Sequence, residues 1–98
     1  MARTAEFHPE ARAEFYAATD RYELLQPGLG AAFLAAVQAA SKYALRCQSA
    51  GAPVSTELRR VFVRRFLYYL LYEADESRVF ILAVAHFRRR PGYWSDRR

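Results

Sequence analysis

Apolar residues recur every three or four positions in two stretches of the first half of the chain, which is the spacing of one face of an α-helix. The first stretch follows Pro9, a residue suited to the first position of a helix, and it stops at Gln26-Pro27-Gly28. The second stretch runs from about Leu29 to Cys47. Because the break between them is so short, we expect the two helices to form an antiparallel hairpin.

The second half of the chain shows the patterns of β-strands, with a period of two or with apolar residues throughout. Three long strands are predicted, at Arg59–Arg64, Leu67–Glu73 and Val79–Phe87. Their short links favour antiparallel neighbours, since parallel neighbours need a crossover of about a dozen residues or more. A short opening strand is predicted at Thr4–Phe7, and Ser49–Pro53 has the composition of a loop.

These elements predict an α+β fold in which residues 1–98 form one domain. We expect an N-terminal strand, a helical hairpin and a three-stranded antiparallel meander, with the helices packed on one face of the sheet. Because some strands are apolar on both faces, the second face must be covered by a partner or by the chain's own long side chains.

Length and composition exclude several classes of protein. No apolar run reaches the ~20 residues that a membrane helix needs, and residues 1–9 do not resemble a signal peptide. Cys47 is the only cysteine, so the chain can form neither an internal disulfide nor a multi-cysteine zinc site. We therefore expect a soluble cytoplasmic protein without metal or cofactor, in which Cys47 is buried and inert.

Charge is divided unevenly along the chain. Residues 1–58 hold five basic and six acidic side chains, net −1, whereas residues 59–98 hold ten arginines and four acidic side chains, net +6. A guanidinium group can hold a carboxylate or a phosphate through two parallel hydrogen bonds. The second half therefore predicts an anionic partner, either nucleic acid or an acidic protein segment. The alternative is a solvated surface that keeps a small protein soluble.

The order of elements and one long segment resemble a known family. Residues 66–94, FLYYLLYEADESRVFILAVAHFRRRPGYW, comprise an aromatic strand ending in Tyr72, an acidic turn, and a strand that closes on His86 with arginines and a proline behind it. With Pro9-Glu10-Ala11 opening the first helix, the whole chain is similar to the RelE/ParE toxins of bacterial type II toxin–antitoxin modules, also known as plasmid stabilisation proteins. The resemblance is closer to the ParE-like side.

This resemblance implies a growth-inhibiting toxin held inactive by a cognate antitoxin, whose tail wraps the toxin in a hetero-oligomer. RelE-like members cut messenger RNA in the ribosomal A site, and ParE-like members inhibit DNA gyrase without hydrolysis. We favour gyrase as the target, with ribosome-dependent mRNA cleavage as the alternative. Charge alone would also allow a plain nucleic-acid-binding module, although no recognition helix or RNA-binding motif is visible.

Metal-independent RNA cleavage would need an acid, a base and cations on the scissile phosphate. His86 is the candidate acid or base, because an imidazole titrates near neutral pH. Candidates for holding the phosphate or stacking a base are Arg59, Arg60, Arg88, Arg89, Tyr93 and Trp94. Against this route, the resemblance implies an arginine where this chain has Tyr69, and lysines on the preceding strand where it has Arg60 and Phe62. We therefore assign no catalytic residue.

The predicted target- or antitoxin-binding surface lies beyond the last strand and near the link between the first two long strands. Its members are Arg64, Arg65, Arg88, Arg89, Arg90, Tyr93 and Trp94. If the last strand persisted, alternation would turn Arg88 and Arg90 to one side and Arg89 to the other. Adjacent guanidinium groups repel one another, so an anionic partner would stabilise this cluster.

Several of these residues have structural explanations that stay open at this point. Tyr93 and Trp94 would then fold back over the sheet, with the indole N–H left wet, and Arg64 and Arg65 would only keep a turn soluble. His86, on the predicted face of Leu82 and Val84, would be a hydrogen-bonded end of a core strand. Four carboxylates are expected on the solvent side of the first helix rather than in a hydrolytic pair: Glu10, Glu14, Asp20 and Glu23.

Overall fold

The computed structural model of the chain describes residues 4–47, 49 and 51–97. Its elements are β1 (Thr4–Phe7), α1 (Pro9–Leu25), α2 (Leu29–Arg46), β2 (Ala52–Pro53), β3 (Arg59–Val63), β4 (Tyr68–Ala74) and β5 (Arg78–His86), followed by a short 3-10 helix at Ser95–Arg97. The predicted α+β fold is confirmed, because each predicted helix and long strand is present with ends that shift by single residues.

Contacts at the junction of α1 and α2 explain why the helices form a hairpin. The Glu23 carboxylate accepts hydrogen bonds from the backbone N–H groups of Gly28 at 3.1 Å and Gly30 at 3.0 Å. The last turn of α1 therefore satisfies free donors at the beginning of α2. The helices approach closely at Gly30, where a Cβ atom would lie 2.8 Å from the carbonyl oxygen of Thr19.

The five strands form one mixed sheet in the order β1-β5-β4-β3-β2. Strands β3, β4 and β5 are the predicted antiparallel meander, and β1 pairs with β5 in parallel. The helical hairpin carries the chain from β1 to β2 at the opposite edge of the sheet. The prediction of a loop throughout Ser49–Pro53 is wrong, because Ala52 and Pro53 pair with Arg60 and Arg59 as β2. A proline fits there because β2 is an edge strand.

A β-bulge changes which residues of β5 share a face. The pairing with β4 shifts after Leu71, which leaves Leu82 as an extra residue of β5. Leu82 and Ala83 both pack on the face away from the helices, whereas Val84 packs beneath the helices. The prediction that Leu82 and Val84 lie on one face with His86 is therefore wrong for Leu82, since one inserted residue resets the alternation.

Each face of the sheet has its own apolar cluster. Beneath the helices, the ring of Phe33 lies with its centroid 5.0–5.1 Å from the rings of Tyr22, Phe66 and Tyr68. On the second face, a smaller cluster is covered from within the chain, and its members are Leu58, Tyr69, Leu71, Leu82, Ala83 and Ala85 with Phe80, Tyr93 and Trp94 packed against them. The chain thus supplies the cover that the sequence required.

The thiol of Cys47 is exposed, so the prediction that it is buried is wrong. Helix α2 ends at Arg46, and Cys47 is its C-cap residue with extended φ of −134°. The apolar stripe of α2 therefore does not continue to this position.

Candidate functional site

The β3–β4 turn and the segment after β5 meet at one end of the sheet. The backbone N–H of Phe87 donates to the Leu67 carbonyl at 2.9 Å, which ties the chain after β5 to this turn. Within the turn, Arg65 has a φ of 73°, a left-handed conformation that costs a residue with a side chain about 1–2 kcal/mol. Arg64 and Arg65 therefore lie at the same end of the sheet as Arg88–Arg90.

The segment Arg88–Arg90 begins within a turn and does not continue the strand. Strand β5 ends at His86, where the side-chain Nδ1 accepts from the Arg88 N–H and the carbonyl accepts from the Arg89 N–H, both at 3.0 Å. The condition for alternation of these arginines across two faces, a strand that persists through them, is therefore not met. All three side chains are exposed.

Four of the arginines at this end have guanidinium groups without an ion pair or side-chain hydrogen bond to any residue that the structure describes. We call this group the basic end, and its members are Arg64, Arg65, Arg88 and Arg90. Like charges held near one another without counter-charges favour the binding of an anionic surface.

Arg89 differs from its neighbours because it is held from two sides. Its guanidinium lies 4.0 Å from the centroid of the Tyr93 ring, and its Nη1 lies 3.9 Å from Oε2 of Glu14. These contacts direct Arg89 toward α1 and the C-terminal segment. Within the predicted binding surface, Arg89 therefore differs from the basic end, because it serves partly as a structural contact.

Tyr93 and Trp94 pack against the second face of the sheet and are half-buried. Burial raises the pKa of the Tyr93 hydroxyl well above 10.0, and the Glu14 carboxylate raises it further. The indole Nε1 of Trp94 is buried with no hydrogen-bond partner among the described residues, so the expectation that it stays in water is wrong. Both residues contribute mainly to covering the sheet.

A buried ion pair anchors the C-terminal segment, and sequence reasoning missed it. The Arg97 guanidinium donates to both oxygens of Glu14 at 2.9 Å, and it also donates to the Leu82 carbonyl at 3.0 Å. Glu14 in turn accepts from the Val84 N–H at 3.0 Å. The pair therefore satisfies backbone groups of β5 beyond the end of β1, and the expectation that Glu14 lies on the solvent side of α1 is wrong.

The candidate nuclease residues do not all converge on one site: Arg60, Arg89 and Trp94 line one hollow, whereas Arg59 and His86 are not part of its lining. Arg59 lies opposite Tyr72, whereas His86 lies opposite Tyr68, so they are offset by four strand positions, about 13 Å along the strands, with β4 between them. Arg59 is also occupied, because its guanidinium donates to the carbonyls of Gly51 at 2.7 Å and Ser49 at 3.0 Å. It holds the chain before β2 rather than facing the basic end.

The sheet itself separates Arg60 from His86. Arg60 lies above the Tyr69 ring on the face away from the helices, where Tyr93 also packs. His86 lies on the helix side, with its ring 5.1 Å from that of Tyr68 in an edge-on arrangement. Because Nδ1 of His86 accepts from the Arg88 N–H, the neutral ring carries its proton on Nε2 and does not offer that nitrogen as a base.

The structure also brings Arg21 to the end of β5, which the sequence did not indicate. Its guanidinium donates to the Tyr68 hydroxyl at 2.6 Å, although the two residues are 47 positions apart. Arg21 and His86 line the same cleft between α1 and β5. The only available signal was that Arg21 stands one helical turn after Ala17, on a face of α1 with small residues.

Residues 4–47, 49 and 51–97 form neither a metal site nor a membrane-spanning helix. Within that part of the chain, no three His, Cys, Asp or Glu side chains are grouped so that they could hold a metal ion. Neither α1 nor α2, the long helices described there, has the length and hydrophobicity needed to cross a bilayer.

A helical hairpin on one face of a mixed sheet, with the C-terminal segment on the other, defines a small α+β class of fold. No protein-family model and no curated protein sequence matches the chain. Among solved structures, it is similar to one described as the chromosomal ParDE TA system from P. aeruginosa, with a TM-score of 0.72 and 18% identity over 88% of this chain and 96% of that chain. The fold that the RelE/ParE resemblance implied is confirmed.

Proposed function

We propose that this protein is the toxin of a bacterial type II toxin–antitoxin module, acting in the cytoplasm and neutralised by an antitoxin in a hetero-oligomer. The fold shared with a chain of a ParDE TA system supports the class. The observation that carries the proposal is the basic end, where four exposed guanidinium groups have no counter-charge among the described residues. Such a surface fits a toxin that acts by binding.

An open groove supports the proposal of an antitoxin. Strand β2 pairs only with Arg59 and Arg60, so the outer edge of β3 beyond them is free within the described chain. Between this edge and α2 lies a hollow of about 630 Å³, with an apolar lining that includes Ala36, Tyr43 and Val61. An exposed strand edge beside apolar surface favours pairing with another chain.

The charges around this groove specify the partner further. Arg46, Arg60 and Arg64 stand on its rim. We infer that the antitoxin supplies an extended segment in which apolar residues alternate with acidic ones. The apolar side chains would enter the groove, and the carboxylates would meet the arginines.

We infer that the toxin inhibits DNA gyrase by binding to it, and that it is not a nuclease. The separation of Arg59, Arg60 and His86 over two faces and two ends of the sheet supports this inference, because phosphoryl-transfer catalysis needs its groups within hydrogen-bonding reach of one phosphate. Tyr69 is buried at the position where the resemblance implies a catalytic arginine. The basic end then serves as the surface that meets the target.

The test is to add the purified chain to DNA gyrase and, separately, to a translating extract. We expect loss of DNA supercoiling and an intact message pool, with His86→Ala as inhibitory as the parent chain. Cleaved messages in the extract, together with loss of cleavage in His86→Ala, would contradict the proposal and establish the ribosome-dependent nuclease instead.

A further inference from the structure

A second cleft lies on the helix side of the sheet, away from the groove beside β3. It has a volume of about 530 Å³ and separates α1 from the end of β5. The small side chains of Ala13 and Ala17 line the cleft on the α1 side, and Val84 lines it on the β5 side. Small residues on the helix leave the cleft open to a side chain from outside.

The rim of this cleft carries hydrogen-bond donors. The Tyr68 oxygen accepts from Arg21 at 2.6 Å, which leaves the hydroxyl proton free to be donated. Nδ1 of His86 accepts from the Arg88 N–H at 3.0 Å, so the neutral ring presents a donor at Nε2. Arg89 stands on the rim as a further donor. These groups together fit an anionic oxygen.

Among the described residues, Glu14 is the carboxylate that lines the cleft, and it is already engaged. Both oxygens of Glu14 accept from Arg97, and one also accepts from the Val84 N–H. Arg21 has no carboxylate within 4.0 Å among the described residues. The positive charge of Arg21 is therefore available to a ligand.

An apolar surface continues from the cleft along the end of α1. Leu24 and Leu25 are 88% and 76% exposed, and with Arg21, Tyr68 and His86 they line an adjoining hollow of about 380 Å³. A nucleic-acid backbone would place its phosphates against the two leucines. A polypeptide can instead offer an apolar side chain to the leucines and a carboxylate to the hydrogen-bond donors.

We propose that this surface docks a segment of a protein partner, with one carboxylate side chain between Arg21 and His86 and an apolar side chain on Leu24 and Leu25. The inference rests on the proposed function in one respect, because it takes the neutralising antitoxin as the source of the segment. The segment would reach a face of the toxin that the groove beside β3 does not include.

The test uses the full chain and three probes in an NMR titration. These are the peptide acetyl-Gly-Leu-Glu-Leu-Gly-amide, its counterpart with glutamine for glutamate, and a thymidine dinucleotide. We expect the glutamate peptide to shift the Arg21 side-chain signal and the methyl signals of Leu24 and Leu25. It should bind about three- to tenfold more tightly than the glutamine peptide, as expected for a charge-assisted hydrogen bond at a partly exposed site.

Two variants and a matched control locate the effect. Arg21→Gln should remove the preference for glutamate, and Arg12→Gln, an equal charge change on the exposed side of α1, should retain it. Leu24→Ser changes a side chain outside the core, so it should weaken the binding of both peptides without affecting the fold.

Equal binding of the two peptides, signal changes confined to the basic end, or tighter binding of the dinucleotide in this cleft would each overturn the proposal. None of these outcomes depends on whether the chain inhibits gyrase or growth. Failure of the docking site is thus distinguishable from failure of the proposed function.

Discussion

Two groups of arginines in the second half of the chain differ in what surrounds them. Arg97 has a side chain only 8% exposed and bonds to Glu14 and Leu82, and Arg59 bonds to two backbone carbonyls. The four arginines of the basic end are exposed and have no such partners among the described residues. The charge of a segment therefore does not define its role, because arginine serves in this chain both as an internal anchor and as an exposed, unpaired surface group.

The largest difference in the free energy of unfolding should be seen between Arg97→Met and Arg90→Met. Loss of the Arg97 guanidinium removes a hydrogen-bond donor from the Glu14 carboxylate and from the Leu82 carbonyl. We therefore expect the free energy of unfolding to fall by about 3 kcal/mol. Arg90→Met should change it by less than about 0.5 kcal/mol. Urea unfolding monitored by circular dichroism measures both. Equal effects would contradict the division of the arginines into two groups.

A smaller difference in the free energy of unfolding should be seen between substitutions of Arg59 and Arg60, two adjacent residues of β3. Arg59→Met removes two hydrogen bonds to carbonyl oxygens and should cost about 1–2 kcal/mol. Arg60→Met removes only contacts with the rings of Phe62 and Tyr69 at a site open to solvent, and should cost about 0.5 kcal/mol. Thermal unfolding of the two variants measures the difference, and a reversed order would show that Arg59 is not an anchor.

Arg65, a residue of the basic end, should make the folded chain less stable than glycine at the same position would. Arg65 is in the left-handed region that glycine adopts freely, so Arg65→Gly should raise the free energy of unfolding by about 0.5–1 kcal/mol. Because the substitution also removes a charge from the basic end, growth inhibition should fall while stability rises. A fall in stability would mean that the Arg65 side chain stabilises the turn through contacts of its own.

The smallest effect concerns a charged residue at the opposite end of the sheet. The Ser77 N–H and hydroxyl and the Arg78 N–H donate to the Asp75 carboxylate at 2.8–3.0 Å, and these bonds lower its pKa below the ordinary 3.8. A carboxyl whose pKa is lower in the folded chain stabilises the fold above 3.8, and this contribution is lost as pH falls through the folded value.

Asp75→Asn should therefore flatten the acid side of the stability profile. Unfolding by urea at neutral pH and below pH 3.8 measures this slope. Asp20→Asn, at an exposed position of α1, is the control and should retain the parent slope. An unchanged slope in Asp75→Asn would show that the turn does not depend on this carboxylate.

The order of helices and long strands could be predicted from the sequence because periodicity is a local property. The hairpin of α1 and α2 follows from Gln26-Pro27-Gly28, and the meander follows from short links between strands. The bulge at Leu82 could not be predicted, since a single extra residue leaves no signal in a run that is apolar on both faces. Strand β2 was missed because two residues are too few for a pattern.

The candidate site was predictable only in part, for a different reason. The exposure of Arg64, Arg65, Arg88 and Arg90 follows from their position at turns, which the sequence marks. The pairs Glu14–Arg97 and Arg21–Tyr68 join residues 83 and 47 positions apart, so no local pattern indicates them. Long-range pairs of this kind decide which charges remain free for a partner.

A binding experiment with charge-matched variants decides whether the basic end is a docking surface. It compares the affinity of purified gyrase for Arg88→Gln/Arg90→Gln with its affinity for Arg12→Gln/Lys42→Gln, which loses the same charge from exposed helix positions. We expect the first double variant to bind about five- to tenfold more weakly than the parent chain and the second to bind as the parent does. Equal affinities for the two double variants, at equal stability, would contradict it.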